Sequence, residues 1–365
     1  MQSVAIERHA DLVWSSLNCL NKKRYDFLLQ QFGSLEKALE EINEDLLIDL
    51  GCKKDNAKRI MNRISEFDSK KEIGILNNLE ITLISIEDEK YPDSLRDIPD
   101  SPVFLFIRGD IELLKTESIA IVGTRNMTPY GKRAIEHIIP GLVSAGMVTV
   151  SGLAMGIDSK VARETINAGG KTIAVLGHGL GDIYPRTNQS LADEIISSGG
   201  LLVTEYPICI APGKYTFPAR NRIIAGLSRG TIVAEAASQS GSLITASLAL
   251  EYGKEVFAIP GQIFDKNMEG THQIISRGEA KLITCASDVL SEIGIDSSEE
   301  KPKNLYKPQT PEEHKILEII TDIPMSIDEI VENLDLNTAQ INASLTLMEL
   351  KGGVKNVGMG MWVKC

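Results

Sequence analysis

Between residues 118 and 259 the chain repeats one unit: a short run that is apolar at nearly every position, a loop, usually with a glycine, and a segment whose apolar residues recur at helical spacing. The apolar runs fall at 119–122, 148–151, 172–176, 201–204, 231–234 and 255–259, and the helical segments at about 130–145, 157–168, 188–198, 219–228 and 242–252. A strand that is apolar on both faces must be covered on both, and strands joined by helices run parallel. The pattern predicts an α/β domain, a parallel sheet between two layers of helix. In such an open sheet the ligand crevice lies beyond the carboxyl ends of the strands. Gly123-Thr124-Arg125, Gly152 to Gly156, Gly177-His178-Gly179 and Pro260-Gly261 each follow a strand run, so they converge there although the sequence scatters them.

The flanks differ in character. Residues 1–72 carry apolar residues at helical spacing (Leu28, Leu29, Phe32; Leu35, Ala38, Leu39, Ile42; Leu46, Leu47, Leu50), broken at Gly33-Ser34 and Gly51. This predicts a small helical domain of SAM or helix-hairpin-helix type. With a single glycine in the hairpin turn before Lys53-Lys54, a structural role outweighs a phosphate-binding one. The strand-like runs 81–86 and 103–107 form a lead-in that packs onto the main domain, 80–296. Residues 297–311, SSEEKPKNLYKPQTP, have the composition of a linker. Beyond them, 312–365 read as three helices and a hairpin, a winged helix. Winged helices commonly read DNA, but here Asp322, Asp328, Glu329, Glu332, Asp335 and Glu349 outweigh Lys351, Lys355 and Lys364. A protein-contact or accessory role is the expectation, since phosphate binding needs positive charge.

A length of 365 residues exceeds one ordinary core and implies two or three domains. The net charge of -12 argues against a protein that coats duplex DNA by bulk electrostatics, so any nucleic-acid site must be local. One stretch has that quality. PGKYTFPARNRIIAGLSR, 212–229, gathers Lys214, Arg220, Arg222 and Arg229 in an acidic protein, with Phe217 among them and a helix expected to open at Asn221-Arg222. Cation, ring, amide and helix start are what a phosphate-bearing ligand with stackable bases requires. A solvated loop with Phe217 in the core fits the same residues. Arg125 adds a guanidinium at the mouth of the sheet, suited to phosphate. The expected phosphate-cradling positions are Gly123, Thr124, Gly152, Gly156, Gly177, Gly179, Ser240, Gly241 and Ser242, the last three opening a helix as an anion site, a cap, or both.

Several chemistries are absent. The glycine after Gly123 is Gly131, so there is no GxGxxG, and no GxxxxGK[ST] occurs. No Ser-His-Asp or Cys-His set and no metal-ligating cluster is legible. His178 is the best-placed base and Asp158, Glu205 and Glu235 also lie near strand ends, but a lone loop histidine is more often structural. Cys209 has no visible partner. Five scattered cysteines (Cys19, Cys52, Cys209, Cys285, Cys365) without a CxxC pair suit reduced thiols. Glu7, Arg8 and Asp11 interrupt any signal core, and no window reaches the apolar length of a membrane span, so a cytoplasmic protein is expected.

Together the motifs carry a resemblance. VGTR at 122–125, SGLAMGID at 151–158, GHGLGDIYP at 177–185, PGKYTFPARNRIIAGLS at 212–228, EA followed by SGSLITA within 235–246 and FAIPG at 257–261 resemble the DNA-processing protein A (DprA/Smf) family, across about residues 80–290. The resemblance implies an extended Rossmann-like domain that binds single-stranded DNA, forms a homodimer and passes the strand to the RecA recombinase in natural transformation. It implies no nucleotide cofactor and no catalysis. Arg125, Lys214, Phe217, Asn221 and Arg222 become the strand-contacting positions, and Arg220 joins them from the same cluster. A rival of another class is a nucleotide-processing phosphoribohydrolase on a related sheet, with Glu235 and residues 240–245 holding a nucleoside phosphate. Its PGGxGT-type signature is missing here.

Overall fold

The repeated unit closes into one mixed sheet. The computed structural model describes residues 9–295, 306, 308–321, 323–334, 336–358 and 360–364. The chain opens with helices α1 (His9–Leu17), α2 (Lys22–Phe32), α3 (Leu35–Glu40), α4 (Glu44–Asp49), α5 (Lys54–Ser65) and α6 (Ser69–Asn78). Then come β1 (Thr82–Ser85), α7 (Asp93–Arg96) and β2 (Phe104–Gly109). The repeats are β3 (Ser118–Gly123), α8 (Pro129–Ser144), β4 (Val148–Ser151), α9 (Ile157–Asn167), β5 (Thr172–Val175), α10 (Gln189–Ser197), β6 (Leu201–Thr204), α11 (Thr216–Leu227), β7 (Gly230–Glu235), α12 (Ser242–Glu251) and β8 (Glu255–Ala258). They are followed by α13 (Glu269–Ser276), β9 (Lys281–Leu282) and α14 (Ala286–Glu292).

The strand order is β1-β2-β6-β5-β4-β3-β7-β8-β9. From β6 to β9 every neighbouring pair is parallel. The lead-in strands do more than pack on the domain: β2 joins β6 antiparallel, with Phe106 opposite Thr204, and β1 joins β2 antiparallel. They cover an edge of β6 that would otherwise present unpaired backbone. Chain order reverses at β3, with β4 on one side and β7 on the other. The switch point therefore lies between β3 and β7, where a ligand crevice is expected.

Alternation along β3 explains the two covered faces. Ala120 and Val122 point into a core shared with Val150, Val175, Val203, Val233, Ile223 and Ile224. Ile119 and Ile121 point the other way, among Ile135, Ile138, Ile139, Ile232 and Phe257. Each fully buried side chain of this size contributes roughly 1.5–3 kcal/mol of transfer free energy.

The division expected near residues 72–80 is not matched by separate cores. Trp14, Leu28, Ala38, Leu47 and Ala57 belong to the same apolar cluster as Ile84, Tyr91 and Leu105. The fully buried Trp14 donates its indole N–H to the Leu35 carbonyl at 3.1 Å, and Tyr25 donates its hydroxyl to Glu87 at 2.6 Å across the same junction. Met1–Ser297 forms one compact unit and Ser298–Cys365 a second. Most of the expected linker, 297–305 with 307, lies outside the described residues.

The second unit contains α15 (Pro311–Ile319), β10 (Met325–Ser326), α16 (Ile327–Asn333), α17 (Thr338–Leu350), β11 (Val354–Gly358) and β12 (Met361–Lys364), with strand order β10-β12-β11. Ile316, Ile330, Ile341, Leu345, Met348, Val354 and Trp362 form its core, in a winged-helix arrangement. Asp322 and Asp335 lie outside the described residues. In α17, the helix that enters the groove in DNA-reading winged helices, the only charged residue is Glu349. Its open face carries Ala339, Asn342, Ala343, Thr346, Leu347 and Leu350, none of them charged. Among the described residues no helix is long and apolar enough to cross a membrane.

Candidate functional site

The loops after β3, β4 and β5 meet the first turns of α11. That helix begins at Thr216 and not at Asn221. Pro218 is tolerated within a first turn, where its missing N–H costs nothing. The Thr216 hydroxyl ties the entry by accepting from Gly213 N at 3.0 Å. The amides of the helix start therefore lie beside Lys214 and Phe217.

Arg125 is exposed and its guanidinium carbon stands 5.4 Å from the Phe217 ring centroid. Lys214 is exposed, with Nζ 4.9 Å from the centroid of Tyr215. Tyr184 lies 5.9 Å from Phe217, centroid to centroid, tilted by 40°. The backbone that carries Arg125 is fixed by Gly156, whose φ is +78° and whose Cβ would come within 2.4 Å of the Thr124 carbonyl oxygen. Only glycine suits that position. The structure thus brings Arg125, Lys214 and Phe217 to one rim, with Tyr184 and Tyr215 beside them. Those two tyrosines were not singled out from sequence; the available signal was an aromatic residue within each of two strand-end loops.

Two arginines of the cluster do not face outward, and the expectation that they touch a ligand strand is corrected. Arg220 is 4% exposed. Its Nη1 donates to the Gly152 carbonyl at 2.8 Å and also to the Val175 carbonyl. Burial lowers its pKa to about 10, opposed by the carboxylate of Asp158. Asp158 is itself buried and accepts from the amides of Gly152 at 3.1 Å and Ala154 at 3.4 Å. Desolvation raises its pKa and Arg220 pulls it back. Arg222 lies about 140° around the helix from Phe217, at roughly 100° per residue. It pairs with Glu205 at 2.5 Å and faces Asp100 at 3.6 Å. Asn221, one turn from Phe217, shares its face and donates to the Gly241 carbonyl at 3.3 Å.

The glycine loops are used for close approach more than for cradling. The amides of Thr124, Gly152 and Gly179 are already donated to Glu235 O (2.7 Å), Asp158 and Ile210 O (2.9 Å), so they do not serve as open phosphate donors. A Cβ on Gly152 would lie 2.4 Å from Arg220 Nη1, and one on Gly177 3.0 Å from Phe217 Cδ1; glycine lets α11 settle onto the strand ends. At Gly123 a Cβ would meet Ile157 Cγ1 at 2.6 Å. Ser240 and Ser242 bond each other, Oγ to Oγ at 2.8 Å, with Ser242 buried, so these hydroxyls finish the start of α12.

His178 is not a free base. It is buried, its Nδ1 lies 2.8 Å from the Gly179 carbonyl, and its Nε2 accepts the Tyr184 N–H at 3.3 Å. Both ring nitrogens are committed to holding loop 177–185. Asn188 does similar work for the next loop, donating to Leu153 O at 2.9 Å where Leu153 holds a positive φ of 53°. Glu235 is fully buried at the switch point. Its Oε2 accepts the Thr128 N–H at 3.0 Å, at the start of α8. A Cβ on Gly131 would come within 2.2 Å of that oxygen. Glu235 is therefore not presented to a nucleoside phosphate as the hydrolase reading needs. Cys209 is exposed and free. Among the described residues no group of three or more His, Cys, Asp or Glu could hold a metal ion.

The family model for DNA recombination-mediator protein A matches residues 82–294, and that for the DprA winged helix domain matches 300–358. DNA processing protein DprA of Streptococcus pneumoniae is 49% identical over 208 residues, 57% of this chain and 73% of the relative. Protein Smf of Escherichia coli is 37% identical over 285 residues, 76% of each. The X-ray structure of the S. pneumoniae protein superposes with a TM-score of 0.66 at 40% identity, covering 80% of this chain and 99% of that one. The structure of DNA processing protein A from Helicobacter pylori, described for its single-stranded DNA binding mode, gives 0.53 at 31% identity over 59% of this chain and 95% of that one.

Arg220→Ala would leave the Gly152 and Val175 carbonyls and Asp158 without their cation. A loss of about 3–5 kcal/mol in urea unfolding is expected; an unchanged midpoint would mean that the side chain faces solvent. Burial also raises the Glu235 pKa above its ordinary 4.5, against the pull of the Thr128 N–H. The folded state thus holds this proton more tightly than the unfolded one, and the resulting stabilisation is complete below pH 4.5 and lost as pH rises through the folded value. Glu235→Gln keeps an oxygen for Thr128, so its urea midpoint should gain on the parent as pH rises above about 4.5. A constant difference across that range would show that Glu235 titrates normally.

Proposed function

The chain belongs to the DNA recombination-mediator protein A (DprA/Smf) family, and from that premise we propose that it binds single-stranded DNA along the rim of Arg125, Lys214 and Phe217. In this reading it acts in the cytoplasm as a homodimer, by binding and not by catalysis, and delivers the strand to a RecA recombinase. The observation that carries the reading is the convergence of two exposed cations and an aromatic ring on the start of α11, in a chain whose net charge is -12.

Arg125 and Lys214 supply charge for phosphates, and the Phe217 ring supplies a face on which any base stacks. Asn221 lies on the same face of α11. Arg220 and Arg222 act from beneath, holding the helix that presents the others. A grip built on two cations gives modest salt dependence: about -0.7 per neutralised phosphate for single strands, so a slope of roughly -1.4 in log affinity against log salt per protomer.

Arg125→Glu combined with Lys214→Glu should weaken binding of a fluorescent oligothymidine by more than about tenfold and flatten that slope, while the melting curve stays within a degree or so. Anisotropy titrations that superpose on those of the parent would remove the rim as the site. Light scattering at micromolar concentration should return about twice the chain mass of 39.9 kDa; a monomer mass would contradict the homodimer.

A further inference from the structure

The rim carries a large aromatic face that no strand-binding role has yet used, and it belongs to Tyr184. Phe217 is already in contact with the Gly177 backbone, the Arg125 guanidinium and the Tyr184 ring. Tyr184, by contrast, is 48% exposed. Its backbone is nonetheless fixed from below: buried His178 accepts its N–H, Ile183 before it is in the core, and Asn188 shortly after it is bonded to Leu153. A ring that projects from a pinned backbone loses little freedom when it meets a ligand.

The spacing decides where a base can go. A base between two parallel rings needs two van der Waals gaps of about 3.5 Å, so ring centroids about 7 Å apart. Tyr184 and Phe217 stand 5.9 Å apart and 40° out of parallel. No base enters between them, and the pair behaves as one platform whose open side is the outward face of Tyr184.

We infer that Tyr184 is a base-stacking residue that extends the strand path from Phe217 along loop 177–185, and that it favours unpaired over paired nucleic acid. The ligand is an unstacked pyrimidine or purine of a single strand; bases within a duplex already stack on one another and cannot offer a free face. The inference rests on the single-strand reading of the rim given above.

The test uses the full chain. Oligothymidine carrying 5-iodouracil, irradiated in complex with the parent protein, should cross-link to Tyr184 as read by peptide mass spectrometry. Tyr184→Phe should hold affinity within about twofold, whereas Tyr184→Ala should raise Kd about tenfold, with the loss persisting at high salt because stacking is not screened. Duplex affinity should be the same in all three proteins. Cross-links confined to other peptides, or Tyr184→Ala within about twofold of the parent, overturn the inference. If Arg125→Glu with Lys214→Glu still abolishes binding in that case, the rim stands without Tyr184. If neither change has an effect, the rim and this inference fall together. The cross-link is read on the parent protein and so decides even if Tyr184→Ala fails to fold.

Discussion

The geometry of the rim depends on one buried cation. Arg220 carries its guanidinium from α11 down to the carbonyls of Gly152 and Val175, which close β4 and β5, while Asp158 binds the amide of the same Gly152 from the other side. Enclosing a guanidinium costs several kcal/mol, offset here by the two carbonyls that Nη1 meets and by the nearby Asp158 carboxylate, while Nε is buried without a partner. With Arg220 seated, Phe217 lies over Gly177 and reaches Arg125. Arg222 adds a second anchor on the far side of the helix through Glu205, whose own pKa is raised by burial and drawn back by that arginine. The outward cations are thus displayed by inward ones on the same element.

That division of labour was the part of the site least legible in the sequence. The strands of the sheet could be placed from their unbroken apolar runs, because burial on both faces leaves a local signature. The direction of a cation leaves none. Arg220 and Arg222 look as suitable for phosphate as Lys214 does; what turns them inward is a set of partners far away in the chain, the Gly152 and Val175 carbonyls and Glu205. The glycine loops misled for a related reason. A glycine after a strand can expose an amide to a ligand or admit another element, and at Gly152 and Gly177 it admits α11. The junction of the N-terminal helices with the sheet was likewise hidden, since the pairing of Tyr25 with Glu87 and the shared core around Trp14 and Leu105 are contacts between distant segments. Helical spacing reports which face is buried, not what buries it.

Glu235 occupies the usual ligand seat of an open α/β sheet. At a switch point the helix that follows the first strand presents amides and the positive end of its dipole, and nucleotide-binding sheets set a phosphate there. Here the chain fills that seat with a side chain of its own. The Glu235 carboxylate reaches across from β7 to the Thr128 amide at the start of α8, and the lack of a side chain at Gly131 makes the room it needs. Burial opposes the charge of this group more than the Thr128 N–H favours it, so its main consequence is steric. A phosphate arriving at that point would meet a filled volume. The cations and rings that remain open lie further out, along Arg125, Lys214 and loop 177–185, where a polymer can pass without threading its phosphates into the sheet. A filled switch point and an open rim lined by cations and rings are then two results of the same packing.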